Sequence, residues 1–365
     1  MVAAATAGSP SAPVSGGGGA TVPFILASNV YVEKFNTSTV NLGTSTSTTT
    51  VNVIPNGYLS AVRVELRSSG GTTGTATADN PWNAYTNVEL DNIDGANIVY
   101  PAPGYTHYIA NWMFKPWLGD PARRYDYAQA VNPSCSLSIM PEIRGTAGVL
   151  ANTDARSQYK LSYTLNTAAG TVTSNGGTIA ATTTLYLETW AQPDARDLHG
   201  NPQEAVPPGL NLQTLRRRQV ATLNGASSAN TIQLSNTGNE LRGILMIVRD
   251  SNNARQDYLS DPIRWRLDTR ALGVFSPNEL FNLMNDNYDQ LQNGTSLRPT
   301  GVYMFQRFRD PGDFQGQGWL STTNATYVIF ESTTLSTATN VPGTVEIVTD
   351  EAIPVGPVPP ELDSI

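Results

Sequence analysis

Short apolar or alternating runs, each bounded by Gly, Pro, Asn or Asp, recur along the chain. In residues 59–66, Leu-Ser-Ala-Val-Arg-Val-Glu-Leu, apolar and polar side chains alternate with the period of two that a half-buried β-strand has. Runs of this kind predict strands in the first half at residues 25–35, 49–54, 59–67, 86–90, 105–112, 136–143, 158–165 and 182–190. They predict strands in the second half at residues 219–223, 231–234, 241–249, 263–267, 302–308, 325–331 and 343–348.

One segment of the second half has helical periodicity instead. Ser276 is a typical N-cap, Pro277 suits the first turn, and Glu279 completes a capping box. Apolar residues then recur at helical spacing, at Leu280, Leu283, Met284 and Leu291. An Asn-Gly pair at 293–294 can end the helix. The pattern predicts a helix at residues 277–292, packed outside the second β-unit.

The strand pattern stops between Ala191 and Leu212, where prolines, Asp and Asn intervene, so a domain boundary is predicted there. Residues 57–63 and 243–249 share a glycine, an apolar run and an arginine at the same offsets, which indicates two similar β-sandwiches in tandem. We predict a flexible arm at residues 1–22, a first unit at 23–191, a Pro-rich linker at 192–214, a second unit at 215–350 and an extended tail at 351–365.

Composition supports an all-β chain. The 365 residues suit two domains, and only 14% are charged, where about 25% is usual. Polarity comes instead from 42 Thr and 30 Asn, which favour strands and tight turns respectively. The net charge of −8 argues against a nucleic-acid-binding surface. Of the 22 basic residues 19 are Arg, whose planar, weakly hydrated guanidinium suits contacts buried between subunits.

The residues that carry catalysis or bind metals are scarce. His107 and His199 are the only histidines, and Cys135 is the only cysteine. We expect His107 to satisfy a hydrogen bond in or near a sheet and Cys135 to fill the core. Nucleophile-elbow, P-loop and dinucleotide-binding patterns are absent, and residues 91–95 (Asp-Asn-Ile-Asp-Gly) indicate a turn rather than a calcium loop. We therefore predict no enzyme and no catalytic, cofactor-binding or metal-binding residue.

Three further features leave alternatives open. The run Arg216-Arg217-Arg218 is too short for a nucleic-acid tract and can meet an acidic neighbour or anionic lipid. Four tryptophans can line a sugar site, although core or interface positions are commoner in all-β proteins: Trp82, Trp112, Trp117 and Trp190. The chain has neither a run of about eighteen apolar residues nor the basic start of a secretory signal, which disfavours an adhesin.

Residues 56–66, 80–90, 97–109 and 298–308 follow one another as an opening strand, an Asn/Pro-rich turn, an aromatic-rich segment and a late strand after an arginine-containing loop. This order resembles the double jelly-roll major capsid proteins of the tectivirus-like lineage, tailless phages with an internal membrane. The resemblance implies two tandem eight-stranded jelly-roll sandwiches with one short helix in the second. The Gly/Ser/Pro-rich arm departs from the helical arm that family members can carry.

The resemblance implies a major capsid protein that self-assembles as trimeric pseudo-hexagonal capsomers into an icosahedral shell around an internal membrane. Its partners would be itself, penton proteins, minor capsid or membrane-associated proteins and the membrane, with no direct contact to nucleic acid. It would be located in the virion and assembled in the host cytoplasm. The alternative is a carbohydrate-binding or carbohydrate-cleaving β-sandwich protein, such as a phage spike or lectin.

Overall fold

The structure is a computed structural model. It describes residues 28–115, 131–143, 147–156, 158–174, 176–191, 212–234, 238–288, 291–292, 295–296, 298–306 and 318–354. The predicted arm, most of the predicted linker, and residues 355–365 of the predicted tail lie outside these ranges.

The first half of the chain forms a sandwich of two four-stranded layers. Its strands are β1 (Val30–Asn41), β2 (Ser47–Asn52), β3 (Tyr58–Ser69), β4 (Thr75–Ala76), β5 (Tyr85–Asp91), β6 (Asn97–Ala102), β7 (Cys135–Ile139), β8 (Leu150–Ala151), β9 (Lys160–Leu165), β10 (Val172–Thr173) and β11 (Ala180–Trp190). One layer has the order β1-β11-β3-β7, and the other has the order β2-β9-β5-β6. The short β8 pairs with β3, and β4 pairs with β10.

The second half repeats this arrangement. Its strands are β12 (Leu212–Thr222), β13 (Ala229–Gln233), β14 (Glu240–Arg249), β15 (Leu259–Leu267), β16 (Arg270–Phe275), β17 (Leu291–Gln292), β18 (Thr295–Ser296), β19 (Val302–Gln306), β20 (Leu320–Ser321), β21 (Val328–Thr334) and β22 (Thr344–Pro354). Its layers have the orders β12-β22-β14-β19 and β13-β21-β15-β16.

Both halves have the same topology. When the eight main strands of each half are counted in chain order, one layer reads 1-8-3-6 and the other reads 2-7-4-5. Each half is therefore an eight-stranded jelly roll. The sequence echo between residues 57–63 and 243–249 belongs to this repeat, because β3 and β14 are the third strands of their rolls.

The helices are α1 (Gly104–Phe114), the four-residue α2 (Ala168–Thr171) and α3 (Pro277–Tyr288). α3 begins as predicted, since the backbone N–H of Glu279 donates to Oγ of Ser276 at 3.2 Å. Both α1 and α3 lie between the fifth and sixth strands of their rolls. They are therefore counterparts in the repeat.

The two rolls share one sheet. Strand β6 at the edge of the first roll pairs in parallel with β12 of the second, with Val99 opposite Arg216. One face of this sheet packs in the first core, and Leu245 and Ile247 of β14 belong to that face. On the opposite face, Ile244 and other alternate residues of the second half pack in a separate core. The two rolls thus lie against opposite faces of the shared sheet, and β14 is buried on both sides.

Some sequence predictions were wrong. Residues 105–112 form α1 rather than a strand, so the first roll also has a helix, and its fifth main strand, β6, was not predicted. The β-branched, aromatic composition of this segment imitates a strand because α1 is buried on every side and has no polar face to reveal helical periodicity. In the second roll, β12 begins at Leu212, which pairs with Pro354 of β22.

Candidate functional site

The junction between the two jelly rolls is centred on α1. Every residue of this helix is buried, although its sequence includes Thr106, His107 and Asn111. It contacts β5 and β7 of its own roll and β14 of the other. A β-carbon at Gly243 of β14 would lie 2.9 Å from the ring of Phe114, so a glycine permits this close approach. Helix α1 is therefore the surface on which the second roll packs.

The deepest ion pair of the junction joins Arg242 of β14 to Asp350 of β22. Both side chains are 0% exposed. The guanidinium also lies 5.3 Å from the ring centroid of Trp319, which adds a cation–π contact. Because removal of one partner would leave a buried charge without compensation, this pair depends on both residues.

Helix α1 provides partners for Arg216 of β12. The Nη1 group of Arg216 donates to Oδ1 of Asn111 at 3.0 Å. Its guanidinium lies 5.9 Å from the ring centroid of Phe114, one turn further along the helix. An arginine of the second roll is thus held by the amide and the aromatic ring of a helix of the first.

Two more arginines of β12 form ion pairs with β22. Nε of Arg218 donates to Oε1 of Glu346 at 2.5 Å, and the same carboxylate oxygen accepts a hydrogen bond from Oγ1 of Thr106 at 2.8 Å. Nε of Arg217 lies 3.3 Å from Oε2 of Glu351 on the opposite face of the strand. Glu346 therefore connects β12, β22 and α1.

An ionic contact that joins the two rolls lies at the start of α1. Asp79 of the first roll is 2.6 Å from Nη2 of Arg249 and accepts a hydrogen bond of 2.7 Å from Nε of Arg255. Both guanidinium groups also lie near the ring of Tyr105, at 5.7 and 4.6 Å from its centroid. One carboxylate of the first roll thus holds two arginines of the second.

Burial keeps His107 neutral at the centre of the junction. Its Nε2 lies 2.8 Å from the carbonyl oxygen of Val88, on β5. Burial, together with the nearby charge of Arg216, lowers the pKa of His107 from 6.5 to about 3. The expected role of His107 in a hydrogen bond beside a sheet is confirmed, although the residue lies on a helix.

Lys115, directly after α1, is the junction's buried amine. Its Nζ donates to the backbone carbonyl groups of Met140 and Glu142. Burial lowers the pKa of Lys115 well below its ordinary value, and the carboxylate of Asp350 opposes this shift. The hydrogen bonds of Lys115 fix the end of the helix to the segment after β7.

The arrangement fixes the orientation of the rolls. Apolar contacts are non-directional, whereas hydrogen bonds and buried ion pairs act only in one geometry. At the junction α1 presents Thr106 and Asn111, and the second roll presents its charges on three neighbouring strands. A slip of one strand would leave several charges buried without partners, so the junction specifies a single relative placement of the rolls.

The predicted candidates are placed as follows. The run Arg216-Arg217-Arg218 meets acidic neighbours of the same chain, Glu346 and Glu351, so the prediction of an acidic neighbour is confirmed. Other candidates lie in the core or in turns: Cys135, Trp82 and Trp112 are buried, Trp190 is half-buried, and residues 92–96 form a turn. His199 and Trp117 lie outside the described residues.

Sequence reasoning missed Asp79, Lys115 and Asp350, because each belongs to a site only through its distant partners. The internal repeat could have indicated α1, because the predicted helix α3 occupies the same position in the second roll. Within the described ranges no three His, Cys, Asp or Glu side chains are placed to hold a metal ion. No described helix is long and apolar enough to cross a membrane.

Comparison with protein-family models finds no match, and comparison with curated protein sequences finds none either. Solved structures do match. The crystal structure of the STIV major capsid protein is similar, with a TM-score of 0.63 and 14% identity over 92% of this chain and 99% of that one. The atomic structure of Sulfolobus Turreted Icosahedral Virus matches with a TM-score of 0.65 and 13% identity, over 92% of this chain and 93% of that one. The PBCV-1 virus capsid matches with a TM-score of 0.59 and 12% identity, over 89% of this chain and 94% of that one.

These similarities extend over nearly the full length of the compared chains. They agree with the strand orders of both halves, so the chain has the double jelly-roll fold of viral major capsid proteins. The compared proteins are structural components of capsids rather than enzymes.

Proposed function

We propose that this chain is a major capsid protein that acts by self-assembly. The observation that carries the proposal is the pair of jelly rolls with identical strand order, joined through a shared sheet and held together near α1 by hydrogen bonds and by the ion pairs of Asp79. A shell subunit must keep its shape while its neighbours press on it. A junction that permits one placement of the rolls meets that requirement.

The finer form of the proposal follows the family resemblance. The chain forms homotrimers whose six jelly rolls make a pseudo-hexagonal capsomer, and these build an icosahedral shell around an internal membrane in a tectivirus-like phage. Penton and minor capsid or membrane-associated proteins are its further partners. The protein is located in the virion after assembly in the host cytoplasm.

The distribution of charge supports a subunit that associates with its own copies. Seven of the 22 basic residues lie at the junction: Lys115, Arg216, Arg217, Arg218, Arg242, Arg249 and Arg255. Part of the excess of arginine over lysine is therefore used in contacts within the chain. Only 14% of the residues of the chain are charged, which lowers the desolvation cost of packing copies together.

The test is the mass and shape of the purified chain. Native mass spectrometry at micromolar concentration should give a particle three times the 39.1 kDa of the chain. Negative-stain microscopy should show hexagonal outlines. A folded chain that stays monomeric at that concentration would contradict the proposal.

The carbohydrate-binding alternative loses its main support. Trp82 and Trp112 are 4% and 6% exposed, and the ring of Trp82 stacks on Tyr108 at 3.8 Å inside the first core. Neither indole can stack on a sugar without opening that core. No other described feature favours this function.

A further inference from the structure

The two hydrophobic cores draw unequally on the two halves of the chain. Every described buried residue of the second core, from Leu223 to Ile347, belongs to the second half. The first core joins the interior of the first roll to residues of the other half, on β14, α3, β19 and β22: Leu245, Ile247, Met284, Val302, Met304 and Val348. Within the described residues, the second core is therefore complete without the first half, whereas the first core needs the second.

The strands of the shared sheet are also joined unequally. Strand β12 pairs with β22 from Leu212 to Thr222, and β22 pairs in turn with β14. The first roll meets this ladder through a single described residue pair, Val99 and Arg216. Departure of the first roll would therefore break little of the backbone pairing of the second, whose two layers would remain in place.

The buried charges of the junction reduce the cost of that departure. The ion pairs Arg242–Asp350 and Arg218–Glu346 lie entirely on strands of the second roll, so they would persist. Water would reach them once the first roll had moved away, which removes the desolvation penalty that ions carry in the closed junction. Arg216 would exchange the amide of Asn111 for water. The second roll therefore tolerates the loss of its neighbour.

The first roll does not tolerate the opposite loss. Helix α1 is buried along its whole length, and the rings of Tyr105 and Phe114 lie against arginines of the second roll. Without that roll, these rings would be exposed to water at a large hydrophobic cost. Thr106 and Asn111 would also lose their partners on β22 and β12. A first roll alone thus has an incomplete core and an uncovered helix.

We infer that the two rolls open in one order. The first roll, with α1, unfolds while the second roll stays folded, and the second roll unfolds only from that half-open state. The first roll is synthesised before the second, but it completes its core only after the second half of the chain is available. The subunit therefore has an intermediate in which the folded second roll presents its charged sheet face to solvent. This inference does not depend on the proposed function.

Hydrogen exchange of the full chain distinguishes the possible orders, because each amide exchanges from the smallest opening that exposes it. Mass spectrometry follows β9 of the first roll and β21 of the second, under conditions where exchange reports the opening equilibrium. Two matched variants are compared with the unmodified chain: Leu187→Ala in the first core and Leu259→Ala in the second. These leucines are 0% and 1% exposed, and their strands, β11 and β15, lie outside the shared sheet.

The expected pattern is asymmetric. In the unmodified chain the slowest amides of β9 should exchange at least about tenfold faster than those of β21. Leu187→Ala should accelerate both strands by the same factor, at least about tenfold, because the second roll opens only after the first has opened. Leu259→Ala should accelerate β21 alone, because β9 exchanges while the second core is still intact.

Three other patterns would overturn the inference. Acceleration of both strands by both variants would mean one cooperative unit, and acceleration confined to the altered roll in each variant would mean independent rolls. The reversed pattern, with β9 alone accelerated by Leu187→Ala and both strands by Leu259→Ala, would mean that the second roll opens first. If a leucine variant does not fold, Ile139→Val and Ile263→Val repeat the comparison with smaller cavities at two fully buried residues, one in each core.

Discussion

Helices α1 and α3 occupy the same position in the two jelly rolls but meet different surroundings. α1 is buried along its whole length and carries the polar contacts of the junction, whereas α3 presents Leu283 and two carboxylates at the surface. The fold thus places a helix at the same point in each roll, but the rest of the chain buries only the helix of the first roll, α1. The comparison teaches that a contact surface can be recognised by its covered counterpart within the same chain.

The largest effect is expected at the buried ion pair between Arg242 and Asp350, near α1. Asp350→Ala leaves Arg242 buried without its carboxylate, so the free energy of unfolding should fall by about 3–5 kcal/mol. Urea unfolding followed by circular dichroism measures it. A loss below about 1 kcal/mol would mean that water reaches this pair.

The second prediction concerns pH. The pKa of His107 is lowered to about 3 in the folded chain, so below pH 6.5 the unfolded chain binds a proton that the folded chain does not. Stability is therefore full above pH 6.5 and is lost progressively towards pH 3, by about 2 kcal/mol between pH 7 and pH 5. Urea unfolding at both pH values should show a smaller difference for His107→Gln. The control, Thr48→Val at an exposed position, should keep the full difference, and equal differences in both variants would contradict the assignment.

A smaller effect is expected where α1 meets the second roll through one hydroxyl group. Thr106→Val keeps the shape but removes the hydrogen bond to Glu346, so about 1 kcal/mol of stability should be lost. Thr48→Val is the control, because the Thr48 hydroxyl bonds to Thr164 in an exposed position. Denaturant midpoints that shift equally in both variants would show that burial adds nothing to the Thr106 bond.

The smallest effect is expected on the open face. Glu188→Ala removes the partner of Arg63, which still reaches water, so the dissociated chain should lose only about 0.2–1 kcal/mol. Urea unfolding followed by circular dichroism, at a concentration where the chain is dissociated, measures this loss.

Much of the fold could be predicted from local patterns. Fourteen of the fifteen predicted strands overlap main strands of the rolls, the helix at 277 begins where its capping box indicates, and the tandem repeat corresponds to equal strand orders. These features depend on periodicity, turn residues and caps, which act over a few residues. The main failures are α1 at 105–112 and the strands β6 and β16, where no strand was predicted. Helix α1 is buried against elements that are distant in sequence, which its local pattern does not record.

The junction shows why the residues of the candidate site were harder to predict from the sequence than the strands were. The run Arg216-Arg217-Arg218 is visible in the sequence, but its alternation across a strand sends Arg218 to Glu346 and Arg217 to Glu351, on opposite faces of the sheet. The acidic partners lie more than a hundred residues away along the chain. Only the pairing of β12 with β22 brings them together.

The sequence by itself determined an all-β chain of two similar units, low in charge, rich in arginine and without a recognisable catalytic motif. Tertiary structure decided that a segment of aromatic and β-branched residues is a helix, because burial on all sides outweighs local propensity there. It also decided where the charges meet, since an ion pair forms only when two strands have taken a common register. The edges left open by that register, β1 and β16, could be recognised only once both rolls were in place.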